Sequence, residues 1–345
     1  MLPLIIFLLI PLLSVADKLY VVERERGALA VVENGRLLKE IEGLGNLNHA
    51  TLKLWKDKAY LISRDGYLSQ IDTQRDELIK KVKVGNSTIG VDFTDRHIVV
   101  ANYDPKTVVL LDEELNILHT IETGSRNVGI KGFSGGFVFS LMDRDEIWLV
   151  KNGRVRVFEA GAMPFDALLK GDTYMVGFFK EAGIGMLSVE KELFKKVPFT
   201  SEGREVVFKI PHFGAWGVFG DKAYVPAVGE RKLYLLNLKK FDLAGSVELP
   251  GLPVFVVMSP DGKHAAVNFS GDMEDYLALV DAGNMEVAKS IPAGKRVMHM
   301  RFSKDGLRLY VSSYFDSKLR VLEVPSLKVK EELNIPNPSG VFLVR

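Results

Sequence analysis

The chain has 345 residues, 47% of them hydrophobic and 26% charged, enough apolar surface for one large domain or two ordinary ones and far from the profile of disorder. Lys and Arg number 45 against 44 Asp and Glu, so there is no basic field of the kind that draws nucleic acid, and no nucleic-acid partner is expected. Cysteine is absent, which excludes disulfides, thiolate metal sites, cysteine nucleophiles and the C-x-x-C-H attachment of a c-type heme.

The first element is "MLPLIIFLLIPLLSVADKLY", an apolar run from Leu2 to Leu13 followed by Ser14-Val15-Ala16, a small-x-small cleavage pattern. The run is shorter than the ~20 apolar residues of a membrane span. It predicts a secretory signal over residues 1–16. An uncleaved N-terminal anchor is the alternative, because no Lys or Arg precedes the run. On either reading residues 17–345 are exported.

From there, pairs of β-rich runs joined by a polar turn recur eight times: "KLYVVERERGALAVVE", "AYLISRDGYLSQID", "IVVANYDPKTVVLLD", "FVFSLMDRDEIWLV", "YMVGFFKEAGIGMLSV", "AYVPAVGERKLYLLNL", "AAVNFSGDMEDYLALVD" and "LYVSSYFDSKLRVLEV". They begin near Tyr20, Tyr60, Val99, Phe137, Tyr174, Tyr224, Ala266 and Tyr310, a period of about forty residues with one longer step around Pro198 to Lys209. A further short strand precedes each pair and another follows it, and four strands per period describe a propeller blade. Helical periodicity is nowhere sustained. Two β-sandwiches would not keep one period from Tyr20 to Tyr310. The expectation is all-β, a single eight-bladed β-propeller over residues 17–345.

In an up-and-down blade, the entry to strand one and the loop between strands two and three share a face. The entries would bring His49, Arg126, Asp166, His212, Lys295 or Arg296, His299 and Ser339-Gly340 to one mouth of the central channel. The loops would add Arg24, Arg64, Tyr103, Asp143, Phe178, Asn268-Phe269 and Tyr314. A lone histidine is more often a structural hydrogen-bonding group than a ligand, and His97, His119 and His264 receive no role. His49, His212 and His299 stand at comparable entries of three blades. Arg24 has Glu23 and Glu25 beside it, which could simply pair with it.

Other motifs are missing. "AGIGML" lacks the spacing of a dinucleotide loop, and "GNSTIGV" lacks the Lys of a phosphate loop. No Ser-His-Asp order can be defended, and Asp166 with Asp143 supplies too few carboxylates for a hydrolytic metal site. A basic, aromatic, histidine-bearing mouth suits a large, flat, anionic ligand.

Several segments resemble the heme d1-binding propellers, namely the d1 domain of dissimilatory nitrite reductase and its relatives in heme d1 biosynthesis. They are "NHATLKL...ISRDGYLSQID", "ANYDPKTVVLLD", "GSRNVGI", "SLMDRDEIWLV", "MPFDALLKGDTYMVGFF", "PHFGAWGVF", "GLPVF...VNFS" and "VMHMRFSKDG". The resemblance implies that His49 is the axial ligand of the heme iron. It implies that Arg24, Arg64 and Arg126 face the macrocycle's carboxylates, that Tyr103 lies by the ring edge, and that Gly340 falls where the last blade closes over the ligand. His212 matches one of two distal histidines of nitrite reductase. Asp166 stands where the other would be, a departure that argues against nitrite reduction.

The cofactor so implied is heme d1 or a precursor of it, an iron tetrapyrrole, without c-type heme and without an NAD motif. The function so implied is a periplasmic step in heme d1 biosynthesis, for maturation of dissimilatory nitrite reductase: an oxidoreductase-like change to a side chain or the ring, with Asp166 and His212 handling protons. A non-catalytic carrier of heme d1 is the alternative, and a propeller scaffold for protein partners a second. Expected partners are other heme d1 biosynthesis proteins, nitrite reductase and a second copy of the chain.

Overall fold

The computed structural model of the protein describes residues 17–197, 217–227 and 229–345. Residues 1–16, for which a signal is expected, and His212 lie outside the described residues. Eight four-stranded antiparallel sheets make up the structure, each built from consecutive strands except one. In the exception, Pro338–Leu343 from the end of the chain pairs with Lys18–Glu23 from its beginning, and Ala28–Glu33 and Arg36–Ile41 complete that first blade. The eight-bladed propeller expected from the repeat is therefore the fold, closed by its two ends.

Burial explains why the repeat shows in the sequence. The second strand of a blade lies between neighbouring sheets, so both of its faces are covered. Lys18–Glu23 and Gly136–Leu141 are buried at every position. The outermost strands, such as Ile117–Glu122 and Val329–Asn334, are almost wholly exposed and rich in charge. In six of the eight blades a register shift interrupts the pairing of this outer strand, which blunts the edge against further pairing. The apolar side chains form eight clusters, one at each junction between neighbouring blades.

The innermost strands line the central channel. In blade order they are Pro338–Leu343, Thr51–Trp55, Ser87–Phe93, Asn127–Phe133, Pro164–Lys170, Val218–Phe219, Leu252–Met258 and Val297–Phe302. Six of them pair with their neighbour through a register shift. A bulge of this kind re-aims the side chains beside it and is common next to functional sites. Thr51–Trp55, in the second blade, pairs without a shift. No helix among the described residues is long and apolar enough to cross a membrane.

Candidate functional site

The entry turn of the second blade is built to hold one imidazole out. Gly45 has φ +89°, which only glycine adopts without strain, and a Cβ there would stand 2.8 Å from Asp65 Oδ1. The Asp65 carboxylate accepts the Asn46 N–H at 3.1 Å, and Asn46 C=O accepts the Arg64 N–H at 2.7 Å. Leu47 is buried beneath the turn. The turn is thus laced to the loop Ser63–Gly66 of its own blade, and His49 stands exposed at its tip with φ +58°. Left-handed backbone is uncommon for a residue with a side chain, though His tolerates it better than most. The same conformation recurs at Met163, Arg296 and Asn337, each one residue before an innermost strand.

His49 lines a cleft of about 250 Å³ at this mouth, together with Arg24, Asn268, Phe269, Arg296 and Gly340. The Arg24 guanidinium donates to Asn48 Oδ1, beside His49. Neither neighbouring acid holds Arg24. Glu25 accepts the Tyr314 hydroxyl, and Glu23 is buried facing Arg26 at 3.3 Å, with burial raising its pKa above the usual carboxyl range. Tyr314 instead carries two guanidinium groups, Arg24 at 5.8 Å and Arg296 at 5.9 Å from its ring.

A second group sits on the adjoining arc of the rim. Tyr103 has Arg64 at 4.9 Å and Arg126 at 5.9 Å from its ring. Burial pushes the Tyr103 phenol up to about 12, against the pull of the two guanidinium charges. Arg126 is already engaged: its Nε and Nη2 donate to Asp143 Oδ1 at 2.9 and 2.6 Å, and its backbone N–H to Oδ2 at 2.9 Å. Hydrogen bonding from Arg126 holds the Asp143 carboxyl far below the usual range. Among the described residues, no carboxylate pairs with the guanidinium of Arg24, Arg64 or Arg296.

His299 is not an exposed counterpart of His49. It is the third residue of its strand, is buried, and accepts the Val341 N–H on Nδ1 at 3.1 Å. Burial, reinforced by Arg301, lowers its pKa well below the usual value, so it forms a neutral wall between Phe255 and Phe342. Gly340 lies opposite in the closing strand, where a Cβ would meet Phe342 Cε2 at 2.8 Å and Val22 Cγ2 at 3.0 Å. Asp166 lines a separate cavity of about 20 Å³, with Thr51, Lys53 and Lys131. Its Oδ1 accepts the Ala167 N–H at 2.9 Å. The expected partnership of Asp166 with His212 falls outside the described residues.

The mouth therefore brings together His49, Arg24 and Gly340 in one cleft and Arg64, Tyr103 and Arg126 on the adjoining rim, whereas Asp166 lines a separate cavity. Sequence reasoning brought Lys295 or Arg296 to the mouth without choosing between them, and overlooked Phe255 and Glu274, which also line the cleft. The structure selects Arg296, which directly precedes the innermost strand Val297–Phe302 and lines the cleft. The donor set suits an iron macrocycle with carboxylates: an imidazole held out on a stiff turn, guanidinium groups without carboxylate partners, and aromatic walls. Among the described residues, no group of three or more His, Asp or Glu could hold a bare metal ion.

The family model of the cytochrome D1 heme domain matches residues 14–345. Protein NirF of Stutzerimonas stutzeri is 31% identical, with 96% of this chain and 92% of that protein aligned. Protein NirF of Pseudomonas aeruginosa is 30% identical over the same shares. A dihydro-heme d1 dehydrogenase of Pseudomonas aeruginosa is 24% identical over 83% of this chain and 62% of its own length. Among solved structures, dihydro-heme d1 dehydrogenase NirN in complex with DHE superposes with a TM-score of 0.80 at 20% identity, covering 95% of this chain and 75% of that one. AztD from Citrobacter koseri, in its apo form, gives 0.76 at 17% identity, covering 94% and 97%. At these identities the two structures speak for the propeller alone.

Proposed function

The chain belongs to the cytochrome D1 heme domain family, and from that premise we propose that it serves heme d1 biosynthesis by binding a late precursor at the mouth of the propeller. The observation that carries this reading is the pairing of an outward-held imidazole, His49, with nearby guanidinium groups of Arg24, Arg64 and Arg296 that no described carboxylate neutralises. An iron tetrapyrrole supplies a redox-active iron in a flat anionic ring. In this reading His49 holds the iron, and the three arginines hold the ring's carboxylates by charge-assisted hydrogen bonds. Tyr103 and Tyr314 fix the planes of those arginines, and His299, Phe255 and Phe342 exclude water on one side.

The finer reading is a modifying enzyme, in which Asp166 and His212 handle protons during a change to a side chain or the ring. The similarity to proteins NirF and to a dihydro-heme d1 dehydrogenase supports that class of chemistry. A carrier that holds heme d1 or its precursor for nitrite reductase is the second reading. It is favoured by one observation, that Asp166 lines a cavity of its own and not the cleft beside His49. We place the activity in the periplasm, on the strength of the apolar run and Ser14-Val15-Ala16 pattern of residues 1–16.

The test is to mix the purified protein with heme d1 and follow the absorption change of an axial imidazole. It is expected in the wild type and absent in His49→Ala, and a wild type that binds no heme d1 overturns both readings. Asp166→Ala and His212→Ala then separate them. Variants that bind the cofactor yet fail to support its production indicate the enzyme, and variants that still support it leave the carrier. The mass of the tetrapyrrole accumulating in cells lacking the protein names the step.

A further inference from the structure

The face away from the mouth carries a groove that the functional reading does not use. It lies between the fifth and sixth blades, has a volume of about 710 Å³, and is walled by the turns around residues 170–173, 188–193, 220–221 and 238–241. Five of its lining residues are lysines and two are aspartates, in a chain whose charges otherwise balance at 45 to 44. Both aspartates are engaged. Asp172 accepts the Ser188 hydroxyl and the Glu190 N–H, and Asp221 pairs with Lys239 at 2.7 Å. Lys195 donates across the groove to Phe241 C=O at 3.1 Å. Among the described residues, Lys239 is the one groove lysine with a carboxylate partner, which leaves the exposed Lys170, Lys191 and Lys240 to meet an added negative charge. The wall between these charges is apolar: Leu193 is 62% exposed, and Phe194 and Phe241 are half-buried.

Leu193 and Lys195 belong to Leu193–Val197, the fifth blade's outermost strand. Its pairing with Ile184–Ser188 runs without the register shift that blunts six of the outer edges, and no described strand covers its outer side. Its outward N–H and C=O groups therefore keep a regular row, open to another strand. We propose that this groove docks an extended acidic segment of a partner protein, which adds a strand along Leu193–Val197 and lays its carboxylates against Lys170, Lys191 and Lys240. Side chains of an added strand alternate between faces, so carboxylates at every second position all point into the groove. A membrane surface meets these charges less well, because the lysines line a recess between two blades and not a plane. The docking does not depend on heme d1, since the groove and the mouth lie on opposite faces.

The experiment uses the full protein without ligand and a short fluorescent peptide that alternates Glu with Val, followed by anisotropy. The peptide should bind at low salt, more weakly as salt rises, and the same peptide with Gln for Glu should bind about tenfold more weakly. A wild type that binds neither peptide, or both equally, overturns the proposal. Combining Lys170→Glu, Lys191→Glu and Lys240→Glu should weaken binding of the Glu peptide about tenfold or more while Tm stays within about 2 °C of the wild type. If that variant does not fold, Lys191→Gln with Lys240→Gln should still weaken binding about threefold, and unchanged binding by the variant that folds overturns the proposal. Only every second N–H of an added strand meets the edge. Of two peptides N-methylated at alternate residues, one should therefore bind as the parent does and the other should lose binding, and equal behaviour of the two overturns strand addition. Phosphatidylglycerol vesicles that sediment the wild type but not the lysine variant, with no binding of the peptide, assign the groove to a membrane and overturn the proposal. A wild type that binds the peptide and no heme d1 overturns the functional reading and leaves the docking site standing.

Discussion

At the scale of single residues, the arginines of the mouth are not equivalent, and their partners rank them. Arg24 and Arg64 lack a carboxylate among the described residues, whereas Arg126 is bound by three hydrogen bonds to Asp143. A ligand carboxylate gains most from the uncommitted groups, since a charge-assisted hydrogen bond contributes about 1.5–3 kcal/mol. Arg64→Ala should therefore weaken heme d1 binding about tenfold or more, and Arg126→Ala should weaken it less, as read from titrations of absorbance. The Arg126–Asp143 contact has its own signature in acid. The folded pKa of Asp143 is depressed, so its contribution to stability is complete above the unfolded carboxyl value, near 4, and is lost as pH falls through the folded value. Asp143→Asn should then lose less stability than the wild type between about pH 4 and pH 2, measured by thermal unfolding. This pairing was hard to read from sequence, because 17 positions separate its partners and both seemed to face the ligand.

At the scale of elements, the entry turns decide what reaches the mouth. His49 and His299 looked alike in sequence because both follow a loop at the start of an innermost strand. The register shift between Val297 and His299 separates them: one lies inside the ladder and the other at the tip of a turn before it. Bulges of this kind leave little trace in a hydrophobic pattern, which explains why the mouth was legible as a face and not as a set of directions. The turn from Gly45 to Ala50 yields a clear test. Gly45→Ala places a side chain at φ +89° against Asp65, at a cost of about 1–3 kcal/mol, and should loosen His49 as well as lower Tm. His49→Asn, by contrast, keeps a residue that tolerates left-handed backbone, so Tm should hold while the axial-imidazole absorption disappears. Equal loss of Tm in both variants would mean that the His49 side chain also supports the fold.

At the scale of the whole molecule, stability is distributed around a ring. Each blade buries its apolar faces only against its two neighbours, so one period of about forty residues repeats the same demands, and that is why the architecture could be read from strand pairs alone. The ring has one covalent gap. It is closed by the pairing of Lys18–Glu23 with Pro338–Leu343 and by a hydrogen bond from the Tyr310 hydroxyl to Asp17 at 2.7 Å. Removing residues 338–345 would take away the first blade's innermost strand, the Val341 contact at the junction with the eighth blade, and Gly340 from the cleft. We expect that truncation to abolish cooperative unfolding and heme d1 binding together. The position of the gap should matter far less than closure itself. Lys18 N–H donates to Arg345 C=O at 3.0 Å, so a short linker can join Arg345 to Asp17, and new ends can open at the exposed turn Asn152-Gly153 on the face away from the mouth. Such a permutant should unfold cooperatively and bind heme d1 as the wild type does, measured by circular dichroism and absorbance. If it folds but does not bind, the ends do more at the mouth than close the ring.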